Sequence, residues 1–135
     1  MRQWVLAAVL AVTAACGAYT FPGGGATPTP NTGTVSGQVR VVPCAPVEQI
    51  NSPCTGKFVA GLEIDYVNGA TVAGRTVTDQ TGNYSIRLDP GAYTVVFKNF
   101  MRVISGPTKI TIAAGSSLVA NYILDSGIRA PVPQQ

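Results

Sequence analysis

From residue 34 onward, apolar and polar side chains alternate in short runs separated by Gly, Pro and Asn. A period of two places successive side chains on opposite faces of an extended strand, so each run reads as a strand buried on one side. Residues 34–42 set Val35, Gly37, Val39 and Val41 against Ser36, Gln38 and Arg40. Within residues 58–68, Leu62, Ile64 and Tyr66 form the inward side, with Glu63 and Asp65 on a solvated face. Asn68-Gly69 reads as a tight turn that returns the chain through residues 71–78. Residues 99–107 read as a loop whose Phe100, Met101 and Val103 cover one end of the core. Ile110 and Ile112 mark a further strand, and Leu118, Ala120, Tyr122 and Leu124 form a last inward stripe against Val119, Asn121 and Ile123.

The tightest pattern lies in residues 76–97. Tyr84, Ile86 and Leu88 alternate with Asn83, Ser85 and Arg87, and Tyr93, Val95 and Phe97 follow with the same period. Pairing Leu88 with Tyr93, Ile86 with Val95 and Tyr84 with Phe97 puts every apolar member on one face of a hairpin, and a slip of one residue would invert one strand. Asp89-Pro90-Gly91 supplies the connection, with Pro90 fixing φ and Gly91 free to take φ > 0. Thr78 pairs with Asn83 across the turn at residues 79–82, which places Val77 on the face of Tyr84 and gives Gly82 the positive φ. The outcome is an all-β chain, a single seven-stranded antiparallel β-sandwich, with no helix-period segment after the N-terminal stretch.

The N-terminal segment changes the compartment. Residues 1–15 place Arg2 before an apolar run and end in Thr13-Ala14-Ala15, the plan of a secretory signal peptide and too short an apolar run to span a bilayer. Thr13-Ala14-Ala15-Cys16 resembles the lipobox of bacterial lipoproteins, which implies a lipid on Cys16 and attachment to a membrane. Thr13 stands where that pattern usually has Leu, and ordinary cleavage near Ala15 or Ala18 would release a secreted, soluble protein. Residues 16–33, rich in Gly, Pro and Thr and free of charge, form a tether, residues 34–128 the folded domain and residues 129–135 a flexible tail. In an exported chain Cys44 and Cys54 most economically form a disulfide that ties the irregular loop between the first two strands.

Composition narrows the chemistry. The 135 residues allow one core. The net charge of +3 comes from scattered basic residues, so no nucleic-acid partner is expected. The chain contains no His, which removes His-based metal sites and Ser-His or Cys-His nucleophiles, and two thiols alone are a poor metal ligand set. Asp79 is the single carboxylate of residues 79–83, so a turn accounts for it better than a calcium loop. No cofactor and no metal are expected.

Four groups of residues resemble the carboxypeptidase regulatory-like domains of transthyretin-like or prealbumin-like fold, a sandwich akin to the immunoglobulin fold. They are Val59-Ala60-Gly61, Thr78-Asp79 with Gly82-Asn83-Tyr84-Ser85, residues 88–95, and Asn121-Tyr122-Ile123-Leu124-Asp125. The resemblance implies a non-catalytic module that presents or stabilises, and no shared catalytic residues. Related surface sandwiches carry a Lys–Asn crosslink, but Arg40 stands where the Lys would be needed opposite Asn121. The expected function is therefore a non-catalytic cell-envelope lipoprotein with a protein or glycan partner. The alternative is a carbohydrate-binding module, for which Tyr19, Phe21, Phe58 and Phe100 are the rings outside the inward stripes.

Overall fold

The computed structural model describes residues 31–48, 51 and 53–130; the signal segment, Cys16, Tyr19, Phe21 and most of the tether lie outside the described residues, as do residues 131–135. The described residues form β1 (Gly33–Val42), β2 (Lys57–Phe58), β3 (Glu63–Asn68), β4 (Thr71–Val77), β5 (Asn83–Leu88), β6 (Gly91–Phe97), β7 (Arg102–Ser105), β8 (Lys109–Ile112), β9 (Ser117–Val119) and β10 (Tyr122–Asp125). They build two sheets. One runs β2-β1-β10-β7, with β5 and β9 also paired to β1, and the other runs β4-β3-β6-β8.

β1 is the axis of the six-stranded sheet. Its first half pairs antiparallel with β5 (Val35↔Ile86, Gly37↔Tyr84) and parallel with β9, and its second half pairs parallel with β10 and antiparallel with β2. Thr34 faces Ser117 and Val39 faces Tyr122, so β9 and β10 follow β1 in one unbroken register. Between them the ladder is bridged by the Ala120 N–H donating to the Ser36 carbonyl at 2.8 Å and the Gln38 N–H donating to Asn121 Oδ1 at 2.9 Å. Gly37 sits at this bridge, where a Cβ would collide with the Ala120 carbonyl.

The core lies between the sheets. Val35, Val39, Ala120, Tyr122 and Leu124 from one side meet Ile64, Tyr66, Tyr93, Val95 and Ile112 from the other, and Phe97 meets the Tyr122 ring edge-on at 4.9 Å. Tyr84 donates to the Ala120 carbonyl and Tyr122 to the Pro107 carbonyl. Among the described residues the buried Tyr66 hydroxyl has no hydrogen-bond partner. Burial pushes all three phenols above the ordinary tyrosine range, that of Tyr122 up to about 12.

The fold departs from the alternation in several places. There are ten strands among the described residues rather than seven. The run 58–68 breaks into β2 and β3 around Gly61, which has φ +69°; residues 102–105 of the expected loop pair with β10; and the last stripe divides at Ala120 and Asn121. The sandwich is not purely antiparallel, because the first and last strands run side by side in the same direction.

The expected β5–β6 hairpin does not pair. β5 bonds to β1 in one sheet while β6 bonds to β3 and β8 in the other, so residues 89–90 carry the chain across the edge of the sandwich. Gly91 is the first residue of β6, opposite Ile112, and its φ is not positive, whereas Gly82 has φ +74°. Val77 is half exposed opposite Glu63; Thr78 is buried in its place, accepting from the Leu62 N–H at 2.9 Å and donating to the Val59 carbonyl at 2.6 Å. Met101 and Val103 pack on the core, but Phe100 is 85% exposed.

Candidate functional site

Any carboxylate chemistry would rest on Glu63, Asp65 and Asp79. β3 and β4 pair from Asn68↔Thr71, but the register shifts between Tyr66 and Val67, so Asp65 stands opposite Arg75. The Arg75 guanidinium donates to both Asp65 oxygens, at 2.7 and 3.2 Å, and Lys98 approaches one of them at 3.4 Å. Arg75 also lies 3.1 Å from Glu63. Asp65 is 2% exposed, contrary to the expected solvated face. The hydrogen bond from Arg75 is the main cause that holds its carboxyl below the usual carboxylate range. With both oxygens engaged by cations, Asp65 is a structural anion and a poor base.

Asp79 is committed to its turn. Its Oδ1 accepts from the Asn83 N–H at 2.9 Å, the Thr81 N–H at 2.8 Å and the Thr81 hydroxyl at 2.9 Å, which together lower its pKa. The Gly82 N–H donates to the Asp79 carbonyl at 3.0 Å, closing the loop. Asp and Gly occupy these positions because the Asx geometry needs a short acceptor and the last residue needs a positive φ.

Cys44 and Cys54 are joined, with their Cα atoms 5.6 Å apart. Glu48 Oε1 accepts from the Cys44 N–H at 3.0 Å, which closes the loop a second time. This end of the sandwich carries an open cleft of about 360 Å³ between Pro43, Ala45, Phe100, Met101 and Ile128. The chain beyond β10 is tied here as well: the Ser126 N–H donates to the Val42 carbonyl at 2.9 Å and the Ala130 N–H to the Pro46 carbonyl at 3.0 Å.

The outer face of the six-stranded sheet holds a connected polar group that the alternation did not single out. Gln38 Nε2 donates to the Thr81 carbonyl at 3.1 Å and Asn83 Oδ1 at 3.2 Å, so its Oε1 is turned to accept from Arg40 Nε at 3.0 Å. Arg40 Nη1 donates to the Thr55 carbonyl at 3.3 Å, and the guanidinium carbon lies 4.9 Å from the Phe58 ring centroid. Asn121 uses its oxygen to hold the Gln38 N–H. Of the exposed rings, Phe58 therefore belongs to this face and Phe100 to the cleft at the disulfide end. The outward parity of Gln38, Arg40 and Asn121 is legible in the sequence, but their convergence depends on the parallel pairing of β1 with β10.

No protein-family model and no curated protein sequence matches the chain, so its likeness to carboxypeptidase regulatory-like domains stands on the residues quoted above. Among solved structures it is similar to GBS52, the minor pilin of the Gram-positive pathogen Streptococcus agalactiae, at 16% sequence identity and a TM-score of 0.48. The match covers 78% of this chain and 48% of that one, so the chain spans about half the pilin's length.

Proposed function

We propose that the protein is a non-catalytic cell-envelope lipoprotein, anchored through Cys16, whose β-sandwich is a structural or interaction module. The observation that carries this reading is the direction of β1. It begins at Gly33, where the tether ends, and runs ten residues to Val42, where the disulfide-tied loop and its cleft begin. A strand of that length spans roughly 30 Å, so a chain tethered at its N-terminus turns the disulfide end away from the anchor. The disulfide supports an oxidising, exported location. The engagement of Asp65 by Arg75 and Lys98, and of Asp79 by its own turn, supports a role other than catalysis.

Mass spectrometry of the native N-terminus tests the anchor: the expected species begins at a diacylglyceryl-modified Cys16. An unmodified Cys16, or a chain beginning at Gly17 or later, would leave a secreted domain instead. A hydrolase screen tests the second half of the reading. Activity that disappears when Glu63, Asp65 and Asp79 are substituted would make the module an enzyme.

A further inference from the structure

The outer face of the six-stranded sheet contains an open cleft of about 270 Å³ lined by Gln38, Arg40, Thr55, Asn121, Tyr122 and Ile123. Of the eight described basic residues, Arg75, Lys98, Arg102 and Arg129 are within ion-pair distance of a carboxylate, and of the other four Lys57, Arg87 and Lys109 are exposed. Arg40 is part-buried and has no such partner among the described residues. It is held instead by neutral acceptors, Gln38 Oε1 and the Thr55 carbonyl, and by the Phe58 ring. Those contacts fix the plane of the guanidinium without neutralising it and leave Nη2 for a further acceptor.

Asn121 adds a second donor. An N–H can be accepted only by the amide oxygen, so the Gln38 contact sets the Asn121 orientation and leaves Nδ2 for the cleft that Asn121 lines. The nearest acid along β10, Asp125, is occupied by the Gly127 N–H, Arg129 and Arg102. The cleft thus presents one cation and one amide donor, with no carboxylate in its lining. That set matches an acceptor-only group better than a neutral hydroxyl, which brings a proton of its own.

We propose that this cleft binds a carboxylate-bearing sugar, a hexuronate unit of an acidic polysaccharide. Arg40 takes the carboxylate and Asn121 Nδ2 a neighbouring sugar oxygen, while the Phe58 ring on the neighbouring strand holds the guanidinium in place. The charge complementarity of an unpaired arginine with a polyanion selects this partner. The site deepens the reading of the domain as an interaction module, and it does not depend on lipid at Cys16.

The test is a titration of the purified, oxidised protein by NMR with three probes: an oligogalacturonate, a neutral galacto-oligosaccharide of equal length, and a tripeptide with a free C-terminus. The oligogalacturonate is expected to shift the amides of Gln38, Arg40, Phe58 and Asn121, and the other two to leave them in place. Arg40→Gln should weaken binding at least about tenfold. Asn121→Asp keeps the acceptor for the Gln38 N–H and turns the outward donor into an anion, so it should weaken binding to a similar degree while preserving the fold. Lys109→Gln, on β8 of the other sheet, should leave affinity unchanged. Equal binding of the neutral oligosaccharide, equal binding of the tripeptide, absence of shifts at these amides, or unaltered affinity in Arg40→Gln would each overturn the proposal. Because Cys16 plays no part in the titration, failure of the anchor and failure of the site are separable.

Discussion

β3–β4 and β5–β6 read alike: two strands joined by a short link with a glycine inside it or directly after it, and aromatic and branched side chains on the inward parity of β3, β5 and β6. The first pair forms a hairpin from Asn68↔Thr71, with Gly69 at φ +60°. The second pair separates at once, β5 into the sheet of β1 and β6 into the sheet of β3 and β8. Alternation states that Tyr84, Leu88, Tyr93 and Val95 point inward, and all four do. It does not state whether two inward stripes lie side by side on one sheet or face each other across the core. Both arrangements remove the same apolar area from water.

The largest effect that tests the comparison is truncation of Tyr93, which is buried and donates to the Asp89 carbonyl at 2.7 Å on the crossing link. Tyr93→Ala should destabilise by about 3 to 5 kcal/mol and the outward Thr94→Ala by under about 1, read from denaturant midpoints. Equal, small effects would remove β6 from the core. Gly37→Ala, which drives a methyl into the Ala120 carbonyl where β9 meets β10, should cost about 3 kcal/mol. A tolerated Gly37→Ala would contradict the close parallel approach of the last strands to β1.

Reduction of Cys44–Cys54 should lower stability by about 2 to 3 kcal/mol, the loop-closure value for so short a separation, without unfolding either sheet. A reduced chain that loses its amide dispersion would show that the loop, and not the apolar stripes, holds the sandwich together. The two links differ in a smaller way. Gly69→Ala should cost about 1 kcal/mol because its φ is positive, whereas Gly91→Ala should cost under about 0.5, since its φ is ordinary, its tightest neighbour is the movable Asn68 side chain and the Tyr93 ring stands at ordinary contact distance. A cost at Gly91 equal to that at Gly69 would restore a tight β5–β6 turn. Cross-strand Hα contacts separate the two arrangements directly: Ser36 with Ser85 is expected, and Ile86 with Val95 is not, because facing sheets stand about 10 Å apart.

The two pairs also differ electrostatically: within β3–β4, Arg75 bridges Glu63 and Asp65, and β5–β6 has no such bridge among the described residues. The carboxyl groups of Asp65, Asp79 and Asp125 are all held below their ordinary value, Asp65 chiefly by its hydrogen bond from Arg75, Asp79 by Asn83 and Asp125 by Gly127. Carboxylates with lowered folded pKa contribute stability that is fully present above the unfolded value of about 3.9 and lost as pH falls through the folded value. Urea midpoints should therefore hold steady from neutral pH down to about 5 and then fall. Asp65→Asn should flatten that fall. An unchanged acid slope in Asp65→Asn would mean that Arg75 and Lys98 do not stabilise the anion.

The alternation of residues 34–42, 83–88 and 118–124 makes the inward residues of the six-stranded sheet legible before any partner is known, and the same holds for Ile64, Tyr66, Ile110 and Ile112. The turns at Gly69 and Gly82 are legible too, because a positive φ restricts the residue type locally. Each of these features depends on a residue and its immediate neighbours. The burial of Asp65 is different. Without the shift beside Val67, continuing the hairpin register would set Asp65 against Gly74; the shift brings Arg75 there and leaves Gly74 to make room for Ile86 and Leu88.

The Gln38, Arg40 and Asn121 cluster has the same origin. Its members share an outward parity, but more than eighty residues separate Gln38 from Asn121, and only the parallel register of β10 on β1 joins them. Strand identity and inward face were thus determined by the sequence itself, because the geometry of an extended chain converts a local pattern directly into sidedness. Which strands pair, in which direction, and which outward groups converge on one cleft were decided by the tertiary structure, because backbone ladders accept any side chain and the choice among them rests on how the whole core closes.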